Sequence, residues 1–267
     1  MQFNKLTLKD KKLLVKSLNL KTHQLSAYAF ENIYIWKELF DICWIVIKDN
    51  LCVFFKDNLG CFLYLPPLSK RTDPEAVKET FRIMDGFNKN KDISRIENVE
   101  EQDLPFYRSL GYECKDKFPD YLCSRTDLVQ LKGNRFKSKR ACLNYFSQHY
   151  KFEYLPFALN YREDCLKLYD AWMKERKVKN QDPVYQGMLK DSLTCLKVCL
   201  KDYSHLALIA RVIKIDSQIK AFTLGFKLNK DTFCILYEIT DLSIKGLAQF
   251  IFRAFCLELK GFRYINI

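Results

Sequence analysis

Apolar positions along the 267-residue chain follow two periods, and the switches between them lay out its elements. Helical spacing predicts a short helix over 10–17 and an aromatic one over 27–40 that carries Tyr28, Phe30, Tyr34 and Trp36. Three runs rich in β-branched and aromatic residues, 42–47, 51–55 and 61–65, predict strands, with turns at Lys48-Asp49-Asn50 and Asp57-Asn58-Leu59-Gly60. Asp73-Pro74 offers an N-cap followed by a first helical proline, so a helix opens there and runs to about residue 88. A strand at 93–99, a helix at 102–110 and a strand at 121–124 complete this half. Beyond it, the pattern predicts a helix over 138–150, a strand over 152–157, and helices over 162–176 and 183–202. The second of these is again opened by an Asp-Pro pair. Strands at 206–213, 219–228 and 232–240, a helix at 245–259 and a strand at 263–267 follow.

Strand, two helices, three antiparallel strands, helix, strand is an order that resembles the opening of the GNAT, or acyl-CoA N-acyltransferase, fold. Both halves run helices, a three-strand meander, then helix and strand. The order of elements therefore predicts an α+β protein with two tandem GNAT-like folds, their mixed, mostly antiparallel sheets flanked by helices. The expected domains are 1–130 and 131–267.

Composition narrows the partners. The formal net charge is +12, which favours RNA, an anionic membrane surface or a phosphorylated cofactor. Lysine-rich proteins encoded by AT-rich genomes carry the same excess without any function. Eleven cysteines without pairing rhythm, many in apolar runs (Cys43, Cys52, Cys61, Cys195, Cys199, Cys234, Cys256), read as buried free thiols in a reducing compartment. Three histidines and no Cys-x-x-Cys pair argue against a metal site. No signal-peptide core or membrane-length apolar run is found, so the expected location is cytoplasmic, at most peripheral to the inner membrane face. No Gly-x-Ser-x-Gly elbow and no Gly-Lys-Ser/Thr phosphate loop occur, which removes common hydrolase and ATP-dependent classes.

One stretch concentrates candidate chemistry. Asp120-Tyr121 is followed by a glycine turn at Gly133, and a burst of cations, Lys132, Arg135, Lys137, Lys139 and Arg140, crowds that turn and the start of the helix that carries Leu143, Asn144 and Phe146. A helix N-terminus with added Lys and Arg attracts phosphate through free N–H groups and full charges. A solvated basic linker between domains has the same composition. The spacing of Gly, a basic run, Lys-Arg, then Asn and Phe resembles the phosphatidylglycerol lysyltransferase C-terminal family. Two further windows share the resemblance: Ile219–Lys227 looks like its Ile-x-Ala-Phe-x-x-Gly strand, and Glu238…Asp241…Gly246…Gln249 looks like its Glu-Lys-Ala-Asp…Gly…Gln segment. Ser26, Phe30, Asn32, Tyr34 and Trp36 resemble its aromatic entry helix, although at that spacing they also read as core.

The resemblance implies an aminoacyltransferase that moves an amino acid from aminoacyl-tRNA, its co-substrate, to a phosphatidylglycerol-like lipid or another hydroxyl or amine acceptor, with no bound cofactor. Arg135, Lys137, Lys139 and Arg140 would then meet phosphate of tRNA or lipid, and Asn144 would fix the helix or touch the donor. Glu238, at a strand end, would be the catalytic carboxylate, orienting or deprotonating the attacking group or holding the donor's α-amino group; a solvated edge charge is the other reading. Asp241 and Gly246 occupy the donor loop of that fold, where acetyl-CoA enzymes carry a diglycine. Asp241 equally suits a helix N-cap, and Gly246 the close packing of a helix start. Two departures stand out: Ile239 replaces the lysine after the glutamate, and the chain reaches Tyr264-Ile265-Asn266-Ile267 with only Asn266 of the family's next motif. The second domain is thus expected to be incomplete at its C-terminus. The rival expectations are a CoA-dependent N-acyltransferase using acetyl-CoA and a non-catalytic binding protein.

Overall fold

The computed structural model describes residues 2–267, which divide into two compact units, 2–119 and 120–267. In the first, β1 (Asn4–Lys5), α1 (Lys11–Leu18) and α2 (Phe30–Tyr34) lead into the meander β2 (Asp41–Ile47), β3 (Asn50–Lys56) and β4 (Cys61–Leu63). The helices α3 (Pro74–Phe87) and α4 (Leu104–Ser109) follow, and the four strands form one antiparallel sheet in the order β1-β2-β3-β4. Asp73 caps α3 as expected, accepting from the N–H groups of Glu75 and Ala76. The sheet buries Phe54, Cys52 and Leu63 against Ala76 and Met84 of α3.

Two elements of this unit differ from expectation. The aromatic helix over 27–40 is broken into 3-10 turns at Ser26–Tyr28 and Ile35–Glu38 around the five residues of α2. The break is at Ala29, which is extended (φ −123°, ψ 140°), and that turn lets Tyr28 stack on His23 and donate to the Asn98 carbonyl. Tertiary contacts thereby override a helical period. The run 93–99 is no strand: it meets β4 only at Ile96, between a 3-10 turn at Lys91–Ile93 and a left-handed Asn98.

The second unit comprises β5 (Leu122–Ser124), α5 (Arg125–Gln130), α6 (Lys137–His149), β6 (Glu153–Pro156), α7 (Arg162–Lys179) and α8 (Pro183–Lys201), then β7 (Leu208–Ile215), β8 (Gln218–Lys227), β9 (Thr232–Thr240), α9 (Leu247–Glu258) and β10 (Tyr264–Asn266). From β6 onward this is the predicted order of strand, two helices, three antiparallel strands, helix, strand. The six strands lie in the order β5-β10-β9-β8-β7-β6, with β9 and β10 the parallel pair. The strand at 121–124 was expected to close the first domain. It instead pairs antiparallel with β10, so 122–130 belongs to the second unit's sheet and helices. No helix among the described residues is long and apolar enough to cross a membrane.

A bulge in β9 decides what faces what. Leu224 pairs with Tyr237 and Gly225 with Ile235, which leaves Leu236 as an extra residue. Gly225 permits the crowding, because a Cβ there would lie 2.0 Å from the Cys234 carbonyl oxygen. Phe233 faces α9, where it meets Phe255 and Cys256. Strict alternation would place Tyr237 on that same face. After the bulge Tyr237 points the other way and donates to the Ser192 carbonyl of α8 at 2.7 Å, and Glu238 takes the α9 side.

Candidate functional site

On the α9 side of the second sheet lies a cavity of about 180 Å³. Leu128 and Leu131 come from α5 and its exit, Lys139 and Leu143 from α6, Glu238 from β9, and Ala248, Gln249, Phe252 and Arg253 from α9. The helical period explains the last set. Leu247, Ile251 and Phe255 are buried in the core, so the residues one and two positions after Leu247 and Ile251 turn toward the cavity.

Glu238 is the chemically unusual group. Its Oε2 is shut off from solvent and has no hydrogen-bond partner among the described residues. Burial alone pushes its carboxyl up from 4.5 to about 8. No protein cation offsets that burial, although Lys139 and Arg253 line the same cavity. Arg253 is engaged elsewhere in part, since its Nε donates to the Val129 carbonyl at 2.8 Å. Beside Glu238, burial and then the Glu238 charge push the Cys256 thiol up to about 12, which keeps it an unreactive thiol.

The other sequence candidates separate into three groups. Lys139 alone joins Glu238 at the cavity. Arg135 and Lys137 are exposed nearby at the start of α6; Arg135 pairs with Asp127 at 2.7 Å and lies 4.8 Å from the Phe136 ring centre. Asn144 is exposed on α6 and does not line the cavity.

Arg140, Asp241, Gly246 and Asn266 have visible structural duties. Arg140 Nη1 donates to the carbonyls of Leu131 and Gly133, which holds the turn between α5 and α6. Leu131 is buried and left-handed (φ 50°), a costly conformation for leucine, so this clamp matters. Arg140→Ala should therefore cost about 1–3 kcal/mol of stability, read as a lower denaturant midpoint. Asp241 is not the N-cap of α9: its carboxylate accepts from Ser243 N–H and hydroxyl and from Lys220 Nζ at 3.0 Å. Those partners hold its carboxyl below the usual range despite its partial burial. Gly246 takes the N-cap position instead, with φ 85°, pressed against the Cys142 carbonyl of α6. Asn266 is buried in β10 and donates to Asp120 at 2.9 Å.

Arg253, Phe252 and Gln249 complete the cavity, and of these only Gln249 was singled out in the sequence, as part of a motif. The available signal for Arg253 is that it is the one cation in the otherwise apolar stretch of α9. The two segments that carry the family resemblance, 120–146 and 219–266, are distant in sequence yet supply every residue of the cavity.

A six-stranded α+β sheet with a parallel β9–β10 pair joined through α9, preceded by a second sheet unit, defines an acyltransferase-type domain with tandem GNAT-like folds. The profile of the family described as phosphatidylglycerol lysyltransferase, C-terminal, matches residues 19–267, and the chain belongs to that family. Solved structures agree on the fold. A conserved protein of unknown function from Bacteroides thetaiotaomicron superposes with a TM-score of 0.85 at 23% identity, over 100% of this chain and 90% of that one. The C-terminal domain of a putative lysylphosphatidylglycerol synthetase from Agrobacterium fabrum gives 0.64 at 12% identity, over 98% and 78% of the two chains. L-PGS from Bacillus licheniformis gives 0.63 at 18% identity, over 97% and 78%. No curated protein matches the sequence.

Proposed function

We propose that the protein is an aminoacyltransferase that moves an amino acid from aminoacyl-tRNA to a hydroxyl or amine acceptor, a phosphatidylglycerol-like lipid being the acceptor the family suggests. The observation that carries this reading is the unpartnered Glu238 carboxyl in a cavity beside the basic start of α6. Burial keeps Glu238 largely protonated at neutral pH. The α-ammonium of an aminoacyl group would supply the missing positive partner and favour the carboxylate. Held so, the ester carbonyl faces the acceptor: the acceptor oxygen or nitrogen bonds to the carbonyl carbon, the ribose C–O bond breaks, and the acceptor's proton ends on the ribose hydroxyl. The ester is already activated, so positioning two substrates does most of what a catalyst must do. Arg135 and Lys137 outside the cavity, and Lys139 at its wall, provide charge for the tRNA backbone.

Binding of deacylated tRNA and of acetyl-CoA, compared at two salt concentrations, tests this. Tight tRNA binding that weakens with salt, and loses slope in Lys137→Ala/Lys139→Ala, supports the reading and leads to a transfer assay with charged tRNA. Acetyl-CoA binding without tRNA affinity overturns it in favour of a CoA-dependent acyltransferase.

A further inference from the structure

The cavity holds more positive charge than the proposed transfer accounts for. Its polar lining consists of Lys139, Glu238, Gln249 and Arg253, and the rest is apolar. Two of these are cations and one is a carboxyl. Once an α-ammonium sits on Glu238 that pair is neutral, and both cations remain.

Arg253 is the more fixed of the two. Lys139 is exposed, on a long flexible stem. Arg253 is half-buried on α9, and its Nε donates to the Val129 carbonyl at 2.8 Å. That bond fixes the plane of the guanidinium and uses only one N–H. The two terminal nitrogens have no hydrogen-bond partner, and no carboxylate pairs with either cation, among the described residues. Gln249 stands one turn earlier on the same face of α9, its amide also without a partner. The cavity thus offers an unpartnered carboxyl and an unpartnered guanidinium, the complement of a ligand that carries both signs of charge.

We infer that Arg253 reads the side chain of the transferred amino acid and selects an acidic one, whose carboxylate meets the terminal nitrogens of Arg253 while its α-ammonium meets Glu238. The inference rests on the aminoacyl-transfer reading above. The α-carboxyl of an esterified amino acid carries no charge, so a carboxylate that enters with it belongs to the side chain. A basic side chain in the same place would face two cations between apolar walls, where water screens them little. An alkyl side chain would gain nothing from Arg253. The planar guanidinium takes a carboxylate in two parallel hydrogen bonds, a geometry that Lys139 cannot supply.

Calorimetric titration of the full chain with stable analogues of the donor end tests it. These are adenosines whose ribose amine carries aspartate, alanine or lysine, so that an amide replaces the ester. The aspartyl analogue should bind roughly tenfold or more tighter than the alanyl one, and the lysyl analogue weakest. Arg253→Gln should erase the difference between aspartyl and alanyl, and Arg253→Lys should restore part of it. Lysyl binding as tight as aspartyl overturns the inference and leaves the transfer reading standing. That wild-type order decides the matter even where a variant folds poorly. An unchanged aspartyl preference in folded Arg253→Gln also overturns it. The same fork suits a phosphate of the tRNA end. A phosphate added to the primary ribose hydroxyl would then tighten all the analogues alike through Arg253, which again overturns the inference. Failure of every analogue to bind would remove the transfer reading and this one with it.

Discussion

Glu238→Gln should sharply slow the proposed aminoacyl transfer while making the protein more stable in alkaline solution. The two effects share one cause. The folded carboxyl is held at about 8 by burial, far above its ordinary 4.5. A raised value means that the folded state keeps a proton the unfolded chain releases. Between about pH 4.5 and 8 that mismatch costs stability progressively as pH rises; above 8 the full penalty remains, and below 4.5 it vanishes. Glutamine has nearly the same shape and no charge to desolvate, so the variant should lose this slope. The gain above pH 8 is on the order of a few kcal/mol, reduced by any hydrogen bonds the new amide fails to make. Denaturant midpoints measured from pH 5 to about pH 9 check it, the wild-type and variant curves diverging as pH rises. Activity goes the other way. An amide cannot pair with an α-ammonium or take a proton, and the loss of transfer should be roughly 10²–10⁴-fold. Affinity for tRNA should be unchanged, because Glu238 lies inside the cavity rather than among the exposed cations of α6. A variant that transfers normally would remove Glu238 from the reaction. A wild-type stability curve without the slope would mean that the carboxyl finds a partner in solution.

Gly246→Ala should strongly destabilise the second unit around its cavity. A Cβ at this position would lie 2.1 Å from the Cys142 carbonyl oxygen and 3.1 Å from the Phe146 Cβ, with φ at 85°. Backbone strain alone costs about 1–2 kcal/mol for a non-glycine residue. The clash adds more, because the obstacle is the backbone of α6 and cannot swing aside, so a total of about 3 kcal/mol or more is expected. Relief requires α6 and α9 to part. They are joined at Phe146 and Phe250, whose ring centres are 4.9 Å apart, and each contributes a wall of the cavity. Gly133→Ala is the control: φ is 87°, but nothing lies within 4 Å of the new Cβ, so it should show only the strain. Thermal melts of the two variants separate clash from strain. Equal losses would mean that α6 and α9 yield easily and that Gly246 serves another purpose.

The elements of the second unit could be read from the chain because their signals are local. Asp182 and Pro183 start α8 through a side-chain cap and a missing N–H, both properties of adjacent residues. The β-branched and aromatic residues of β7, β8 and β9 mark those strands by residue type within each short run. The same reading failed at 27–40 and 93–99. In the first, Tyr28 reaches His23 and Asn98, partners that sequence proximity does not announce. In the second, β propensity was present, but only Ile96 found a neighbouring strand.

The candidate site divides in the same way. Residue type, spacing and the family resemblance marked Glu238, Lys139 and the cations at the start of α6. They also marked Arg140, Asp241 and Gly246, which hold a turn, a loop and a helix start, and composition cannot distinguish a guanidinium aimed at a ligand from one aimed at two carbonyls. Tertiary structure decided which carboxylate is buried and where it points. Glu238 faces the cavity because Leu236 is an extra residue in β9, tolerated only where Gly225 lets the β8 and β9 backbones crowd together. Strand alternation on its own would have turned Glu238 toward α8. The sequence by itself determined the α+β class, the family and the set of polar groups, since these reside in local pattern and residue identity. The face on which each group acts depends on register and packing between segments far apart in the chain, and only the assembled sheet settles that.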